Sequence, residues 1–169
     1  MTLAQFTEPR LLVPRLLSER QADVIVELAK RLQSAERIIN AGRFAQALMA
    51  DESLPVAVLD GVAFPNLRGG AVKKLSLAIG LSQPGIRWGR GRSPIVHMVA
   101  LFAVPLSEEQ TYLSLVVAFP SFIKDESAFS ELRQCVRPEA MSSVLERVRV
   151  VRMDHHPANG NLATAGPRE

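Results

Sequence analysis

Residues 61–68 read Gly-Val-Ala-Phe-Pro-Asn-Leu-Arg and carry the side chains whose chemistry most needs explaining. Asn66 is no nitrogen nucleophile, because the lone pair of its amide is delocalised into the carbonyl group. Asp51, Asp60 and Tyr112 could converge on Asn66, but carboxylates paired without known geometry are poor evidence of catalysis. The sequence contains no Ser-His-Asp set, no P-loop and no Cys/His spacing typical of a metal site. These residue types favour binding, and no catalytic residue and no cofactor are predicted.

Two capping patterns predict helices on either side of this stretch. Ser18 and Gln21 form a capping-box pattern, and an amphipathic apolar repeat follows it. Ser107 and Gln110 form a second one, and we expect Pro120 to kink or end the helix behind it. Further helices are predicted at residues 43–50, 127–134 and 138–148.

Apolar runs between these helices predict strands. They cover residues 11–14, 54–59, 61–64, 72–79 and 94–104. Asp60-Gly61 is a turn signal that joins two of them as a hairpin. Residues 86–93 form an excursion before the last strand, which is apolar almost throughout and is typical of a central strand covered on both faces.

Length and composition bound the class of protein. The 169 residues fit one domain, placed at residues 1–152, and residues 153–169 read as a polar, mobile tail. Hydrophobic residues make up 47% but aromatic residues only 5%, so an aliphatic core of an α/β or α+β domain is expected. A formal charge of +3 is too small to argue for nucleic acid.

The single cysteine and the apolar segments predict the compartment. Cys135 excludes an intramolecular disulfide, fits a reducing environment and is expected to be a buried small hydrophobe in a helical pattern with Leu132 and Val136. No signal-peptide pattern is present at the N-terminus, and the longest apolar stretch, residues 94–105, is too short to span a bilayer. We therefore expect a cytoplasmic protein without membrane insertion.

Residues 61–68 resemble the signature of the type-2 enzyme IIA domain of the bacterial phosphoenolpyruvate-dependent sugar phosphotransferase system (PTS), in its fructose/mannitol and nitrogen-regulatory branch. In that family a Gly-[Ile/Val]-Ala-[Ile/Phe/Val]-Pro-His segment precedes a small residue and a basic one. Val104-Pro105 before a capped helix, Leu113 and residues 48–54 also match. The resemblance runs from about residue 6 to about residue 151.

The resemblance implies an α/β fold in which a mixed β-sheet is flanked by α-helices on both faces. It also implies a histidine that accepts a phosphoryl group from a carrier protein and passes it to a sugar-transporting partner. In the nitrogen-regulatory branch, the domain mainly reports its phosphorylation state to other proteins.

Four positions depart from the family pattern. Asn66 stands where the family has its phosphoacceptor histidine, and Tyr112, uncharged near pH 7, stands at the second active-site histidine. Asp51 takes the place of an arginine, and its carboxylate would repel a phosphoryl group. The approach at residues 55–60 is Pro-Val-Ala-Val-Leu-Asp instead of Gly-, Ser- and Thr-rich, which removes a phosphate-cradling surface. Arg68 remains as a match.

An active phosphocarrier with an unrecognised acceptor is one alternative. His97 is the only histidine in residues 1–152, but a strongly apolar strand more often holds a hydrogen-bonded structural histidine. His155 and His156 lie in the predicted tail and have no further ligands with which to form a metal site.

A basic loop at residues 87–92 is the basis of a second alternative, a nucleic-acid-binding module. An acidic protein or a nucleic acid could bind this loop with Trp88 as its anchor, but a solvated loop with Trp88 folded back on the core is favoured. The basic side chains of the loop are Arg87, Arg90 and Arg92. Lys73 and Lys74 either extend this basic surface, or one of them points to water.

The leading prediction is a non-phosphorylatable, regulatory relative of enzyme IIA that binds a regulatory or transport protein. Its regulatory activity would be controlled by the abundance of the protein, by the partner or by a small ligand in the vestigial pocket at Asn66. Asn66 cannot be switched between two states by phosphorylation. The partner and the oligomeric state are not set by the sequence. The expected binding residues are Asn66, Arg68, Tyr112, Asp51, Arg87, Trp88, Arg90 and Arg92.

Overall fold

The helices and strands are those of a computed structural model that describes residues 1–51 and 58–153. The helices are α1 (Gln21–Ser34), α2 (Ala41–Met49), α3 (Glu109–Lys124), α4 (Glu126–Arg133) and α5 (Pro138–Glu146). The strands are β1 (Leu12–Val13), β2 (Val58–Leu59), β3 (Val62–Ala63), β4 (Asn66–Arg68), β5 (Ser76–Arg87) and β6 (Ile95–Val104). Short 3-10 turns occur at Leu3–Phe6, Pro9–Leu11 and Leu106–Glu108.

The strands form one mixed sheet in the order β1-β5-β6-β3-β2, and β4 also pairs with β6. Strand β5 runs antiparallel to β6, whereas β3 and β4 run parallel to it. Strand β1 runs parallel to β5 at one edge, as the short edge strand predicted at residues 11–14. Apart from its first residues, β6 is buried, which confirms the predicted central strand.

Helices cover both faces of the sheet because apolar side chains project from both of them. Helices α1 and α2 supply one core, which includes Ile25, Leu28 and Phe44. Helices α3, α4 and α5 supply the other, which includes Phe119 and Leu145. The predicted fold class, an α/β fold with a mixed sheet flanked by helices on both faces, is confirmed.

The predicted hairpin is also confirmed. Strands β2 and β3 pair antiparallel, with Leu59 opposite Val62. Asp60 and Gly61 both have positive φ, 47° and 77°, as the tight turn of a two-residue hairpin requires. Residues 54–57 of the predicted strand lie outside the described residues, as do the approach at 55–57 and most of the predicted tail, with His155 and His156.

Both predicted capping boxes are wrong, and distant contacts explain why. Helix α1 begins after Arg20, and the Glu27 carboxylate accepts hydrogen bonds from the backbone N–H groups of Leu17 and Ser18, at 3.2 and 3.3 Å. The Gln21 side chain does not cap its own helix but accepts a hydrogen bond from the N–H of Gly89 at 3.0 Å.

The start of α3 differs from the prediction for the same reason. Ser107 lies in the 3-10 turn Leu106–Glu108, and the side chain of Gln110 donates a hydrogen bond to the carbonyl oxygen of Met153 at 3.1 Å. Pro120 does not end the helix, which continues to Lys124. Burial of Phe119 and Phe122 on either side of the proline offsets the backbone hydrogen bond that the ring removes.

Other boundaries differ by smaller amounts. Helix α2 begins at Ala41, because the Asn40 side chain caps it by accepting a hydrogen bond from the N–H of Arg43 at 2.9 Å. The last predicted helix begins at Pro138 as expected but ends at Glu146. Among the described residues, no helix has both the length and the apolarity that crossing a bilayer requires.

Strand β5 is the largest departure. It begins at Ser76 and continues to Arg87, whereas the prediction ended the strand at residue 79. A register shift between Leu81 and Ile86 accommodates Pro84-Gly85 as a bulge, so the chain keeps pairing with β6. The excursion expected at residues 86–93 therefore spans only residues 88–94.

Candidate functional site

Asn66 and Arg68 lie on β4 and face the same side of the sheet. Asn66 pairs with Phe102 on β6, and Arg68 pairs with Val104. Because side chains alternate along a strand, both project toward the core formed with α3, while Leu67 packs against the opposite core. Asn66 is half-buried and Arg68 is exposed.

Helix α3 places Tyr112 beside this pair. The Tyr112 ring packs edge-on against Phe102, with centroids 5.7 Å apart, and is only 4% exposed. The guanidinium carbon of Arg68 lies 5.2 Å from the centroid of the same ring, within cation–π range. The structure thus brings Arg68 and Tyr112 together on the side of the sheet that Asn66 faces.

Glu109 is a site residue that the sequence analysis missed. Its carboxylate forms an ion pair with the guanidinium of Arg68. Glu109 precedes Tyr112 by three positions on α3, so both side chains project from one face of the helix toward β4. That spacing is a signal that Glu109 and Tyr112 share a helix face, but no local pattern in the sequence indicates the pairing of Glu109 with Arg68.

The net charge of this cluster is close to zero. Burial raises the pKa of the Tyr112 phenol above its ordinary value, and the Arg68 charge only partly offsets this. Tyr112 is therefore an uncharged hydrogen-bonding group, and the positive charge of Arg68 faces an internal carboxylate. The cluster can hold a polar group by hydrogen bonds, but it presents little net positive charge to an anion.

Asp51 lies beyond the end of α2, a helix that packs against β4. It is exposed, and its N–H group donates a hydrogen bond to the carbonyl oxygen of Leu48 at 3.1 Å.

The basic loop is remote from Asn66. Arg87 pairs with Ile95 at the opposite end of β6, about 23 Å along the strand from Phe102. Arg90 and Arg92 are exposed, as are Lys73 and Lys74 in a separate segment.

Trp88 is fully buried in the core with α1 and α2. The alternative in which its ring folds back on the core is therefore the one observed, and the ring is not available to stack on a partner. The backbone N–H group of Trp88 donates a hydrogen bond to the carbonyl oxygen of Pro94 at 2.9 Å, which closes the loop.

His97 is half-buried on β6. Its Nδ1 donates a hydrogen bond to the carbonyl oxygen of Ser82 at 3.1 Å, in keeping with the predicted structural histidine. It lies five residues, or about 16 Å, along β6 from Phe102 and takes no part in the Asn66 cluster.

Cys135 differs from the expected fully buried hydrophobe. Helix α4 ends at Arg133, Cys135 is half-buried behind it, and Val136 is 84% exposed. Burial, reinforced by the charge of Glu131, raises the pKa of the Cys135 thiol, which therefore stays protonated near pH 7. Within the described ranges, no group of three or more His, Cys, Asp or Glu side chains could hold a metal ion.

Comparisons with known proteins relate the whole fold to one family. Residues 5–148 match the family described as "Phosphoenolpyruvate-dependent sugar phosphotransferase system, EIIA 2". A curated relative is the PTS system 2-O-alpha-mannosyl-D-glycerate-specific EIIABC component of Escherichia coli (strain K12), 26% identical over 127 residues. That alignment covers 73% of this chain and 19% of the relative, so the chain spans about a fifth of that protein's length.

Two solved structures share the architecture. Nitrogen regulatory protein IIA-Ntr from Neisseria meningitidis superposes with a TM-score of 0.73 at 17% identity, covering 84% of this chain and 97% of that one. IIA mannitol from Escherichia coli gives a TM-score of 0.67 at 17% identity, covering 82% and 97%. These likenesses show the fold alone. Because the family match extends over most of the chain, from residue 5 to residue 148, the protein belongs to the type-2 EIIA family of the phosphoenolpyruvate-dependent sugar phosphotransferase system.

Proposed function

We propose that this protein is a type-2 EIIA protein that is not phosphorylated and that acts as a regulatory module by binding a protein partner. The cluster at Asn66 stands where the family has its phosphoryl-accepting site, but it has no imidazole ring to accept the group and, of the family's site residues, it keeps Arg68. The partner is a regulatory or transport protein.

The arrangement around Arg68 is the observation that carries this proposal. Arg68 is the one cation that matches the family pattern, and it pairs with the carboxylate of Glu109. A phosphoryl group adds a charge of about −1.5 to −2, so it would have to displace Glu109 from Arg68 and then lie beside it. Neither Asn66 nor the neutral phenol of Tyr112 supplies a nucleophilic nitrogen in compensation.

The outer face of α3 supports the binding part of the proposal. Leu113, Val116 and Val117 are 39%, 39% and 58% exposed and recur at the spacing of a single helix face. Leu106, 69% exposed, lies in the 3-10 turn that precedes α3. An apolar helix face next to the Asn66 cluster is a surface on which a protein partner could bury aliphatic side chains.

Phosphorylation is tested directly. The purified protein is incubated with phosphoenolpyruvate and the two upstream carrier proteins, and intact mass is recorded without acid treatment. We expect no gain of about 80 Da, the mass of one phosphoryl group, whereas a histidine-containing type-2 EIIA protein in the same mixture gains it. A stoichiometric gain that His97→Ala abolishes would instead support the alternative of an active phosphocarrier.

Partner binding is tested with variants of α3. Proteins cross-linked to the chain in its own host are identified, purified and titrated against wild type and Leu113→Asp/Val117→Asp. We expect the variant to bind at least tenfold more weakly, about 1.4 kcal/mol. The control Leu17→Asp/Ile39→Asp changes two exposed apolar residues elsewhere and should bind like wild type. Equal affinity of all three proteins contradicts binding through α3.

A further inference from the structure

A cavity of about 730 Å³ opens at the bulge of β5, away from the Asn66 cluster. Residues following β1, residues of the bulge, β6 and the chain following α4 all contribute to its wall. The polar side chains of the wall used below are Arg15, Gln83, His97, Arg133 and Gln134. Its volume lies within the roughly 300–1,000 Å³ typical of small-molecule sites.

Two arginines make the wall of this cavity positive. Among the described residues, no acidic side chain lines it, and neither Arg15 nor Arg133 has an ion-pair partner. The guanidinium of Arg133 lies over the Phe129 ring, 5.6 Å from its centroid, which restricts its orientation. Glu131, two residues away, directs its carboxylate to Arg147 at 2.6 Å and leaves the charge of Arg133 uncompensated.

The bulge holds His97 in a fixed position on the wall. Gly85 has a φ of +88°, and a Cβ there would come within 3.0 Å of the His97 ring and 2.5 Å of Ile95. The N–H of Gly85 donates a hydrogen bond to the Ser82 hydroxyl at 3.2 Å, and His97 Nδ1 donates one to the Ser82 carbonyl oxygen at 3.1 Å. Because Nδ1 is engaged, Nε2 is the ring nitrogen that remains for another contact.

We propose that this cavity binds a small organic molecule that carries two acidic groups. Each guanidinium can take one carboxylate or phosphate through paired hydrogen bonds, and the Gln83 and Gln134 amides suit hydroxyl or carbonyl groups between them. Carboxylate and phosphate present the same anionic oxygens to arginine. The proposal does not depend on whether Asn66 is phosphorylated, since His97 lies about 16 Å along β6 from the Asn66 row.

Calorimetric titration of the full chain tests the site with four probes: succinate, citrate, fructose 1,6-bisphosphate and inorganic phosphate. We expect saturable binding of one equivalent of at least one of the first three probes, each of which carries two or more acidic groups, with a Kd below about 1 mM. Comparison of succinate and citrate with fructose 1,6-bisphosphate shows whether the site takes carboxylates or phosphates. Failure of the first three probes to bind, with or without binding of inorganic phosphate, overturns the proposal.

Matched variants separate recognition from net charge. Arg15→Ala/Arg133→Ala should weaken binding at least tenfold, because it removes both guanidinium groups that would bind the acidic groups. The variant should still fold, since both side chains are exposed and their removal leaves the core intact. Arg43→Ala/Arg137→Ala removes the same charge from exposed positions outside the cavity and should bind like wild type. An equal loss of affinity in both variants would mean that binding depends only on the net charge of the protein, and this would overturn the proposal.

Amide chemical shifts locate the ligand. We expect the ¹H–¹⁵N signals of Ser82, Gln83, Gln134 and Cys135 to move on saturation with the tightest probe, while those of Asn66 and Arg68 stay unchanged. Shifts confined to Asn66 and Arg68 would place the ligand in the vestigial pocket and refute this location.

Discussion

Arg68 makes two contacts that set the electrostatic character of the Asn66 cluster. Its guanidinium pairs with Glu109 and lies over the ring of Tyr112, so an internal carboxylate faces the group that would otherwise meet a phosphate. Restoring phosphoryl transfer therefore requires more than restoring an acceptor. The loss of function that we propose involves several neighbouring residues.

Asn66→His should not restore phosphoryl transfer by itself. An imidazole at this position would still have Glu109 beside Arg68 and a neutral Tyr112 beside the ring. We expect labelling from phosphoenolpyruvate through the upstream carriers to be slower than in a histidine-containing EIIA protein by roughly 100-fold or more. The triple variant Asn66→His/Tyr112→His/Asp51→Arg should be labelled faster than the single one. Efficient labelling of Asn66→His alone would refute loss at several positions.

At the scale of elements, the bulge in β5 decides the length of the strand and the position of His97. The strand passes Pro84-Gly85 without leaving the sheet because Gly85 adopts a positive φ and lies against Ile95. Without that bulge, Ile86 and Arg87 could not pair with β6. Gly85 thus allows β5 to keep pairing with β6 and also packs against His97 in the wall of the cavity.

Gly85→Ala should destabilise the protein. The new methyl group would meet Ile95 Cγ2 at 2.5 Å, and alanine is strained at a φ of +88°. We expect the free energy of unfolding in urea to fall by about 1–3 kcal/mol, with movement of the His97 ring signals. The control is Gly70→Ala, where no described atom beyond the two neighbouring residues lies within 4 Å of the new methyl group and φ is not positive. An equal effect of both substitutions would contradict this account of the bulge.

At the scale of the whole molecule, an ion-pair cluster joins the N-terminal segment to the chain that follows α1. The Glu8 carboxylate binds Arg37 at 2.5 Å and Arg10 at 2.7 Å. Burial pushes the pKa of Glu8 up, but the hydrogen bonds and charges of Arg37 and Arg10 outweigh burial, so the pKa lies below its ordinary 4.5. A carboxyl whose pKa is depressed by folding stabilises the fold above its unfolded pKa and loses that effect as pH falls through its folded pKa.

Glu8→Gln should therefore lower stability at pH 7 and matter much less in acid. We expect the free energy of unfolding to fall by on the order of 1 kcal/mol at pH 7, and the difference from wild type to shrink as pH falls below about 4. Urea denaturation at both pH values measures this. Glu19→Gln, at an exposed glutamate with no ion pair among the described residues, is the control and should change little. A Glu8→Gln effect that is the same at both pH values would contradict the linkage.

Features that depend on a few neighbouring residues were predictable from the sequence. The turn at Asp60-Gly61 needs only two residues that tolerate positive φ, and the central strand β6 needs only an apolar run. The resemblance of residues 61–68 to the EIIA signature is local as well. The family and the fold class could therefore be predicted, whereas strand β4, which carries Asn66 and Arg68, was not among the predicted strands.

Only the tertiary structure decided the contacts between distant parts of the chain. The side chain of Gln110 donates a hydrogen bond to Met153, 43 residues away, instead of making the capping contact predicted for it at the start of α3. Glu109 pairs with Arg68, which is 41 residues away in the sequence, and no pattern of neighbouring residues indicates such a pair. The cavity beside His97 has the same origin, because Arg15 follows β1 and Arg133 ends α4, and the two line one cavity only when α4 packs against the sheet that contains β1. Sequence spacing constrains residues within a turn or a strand, whereas these pairings depend on how the sheet and its two helical layers close around one another.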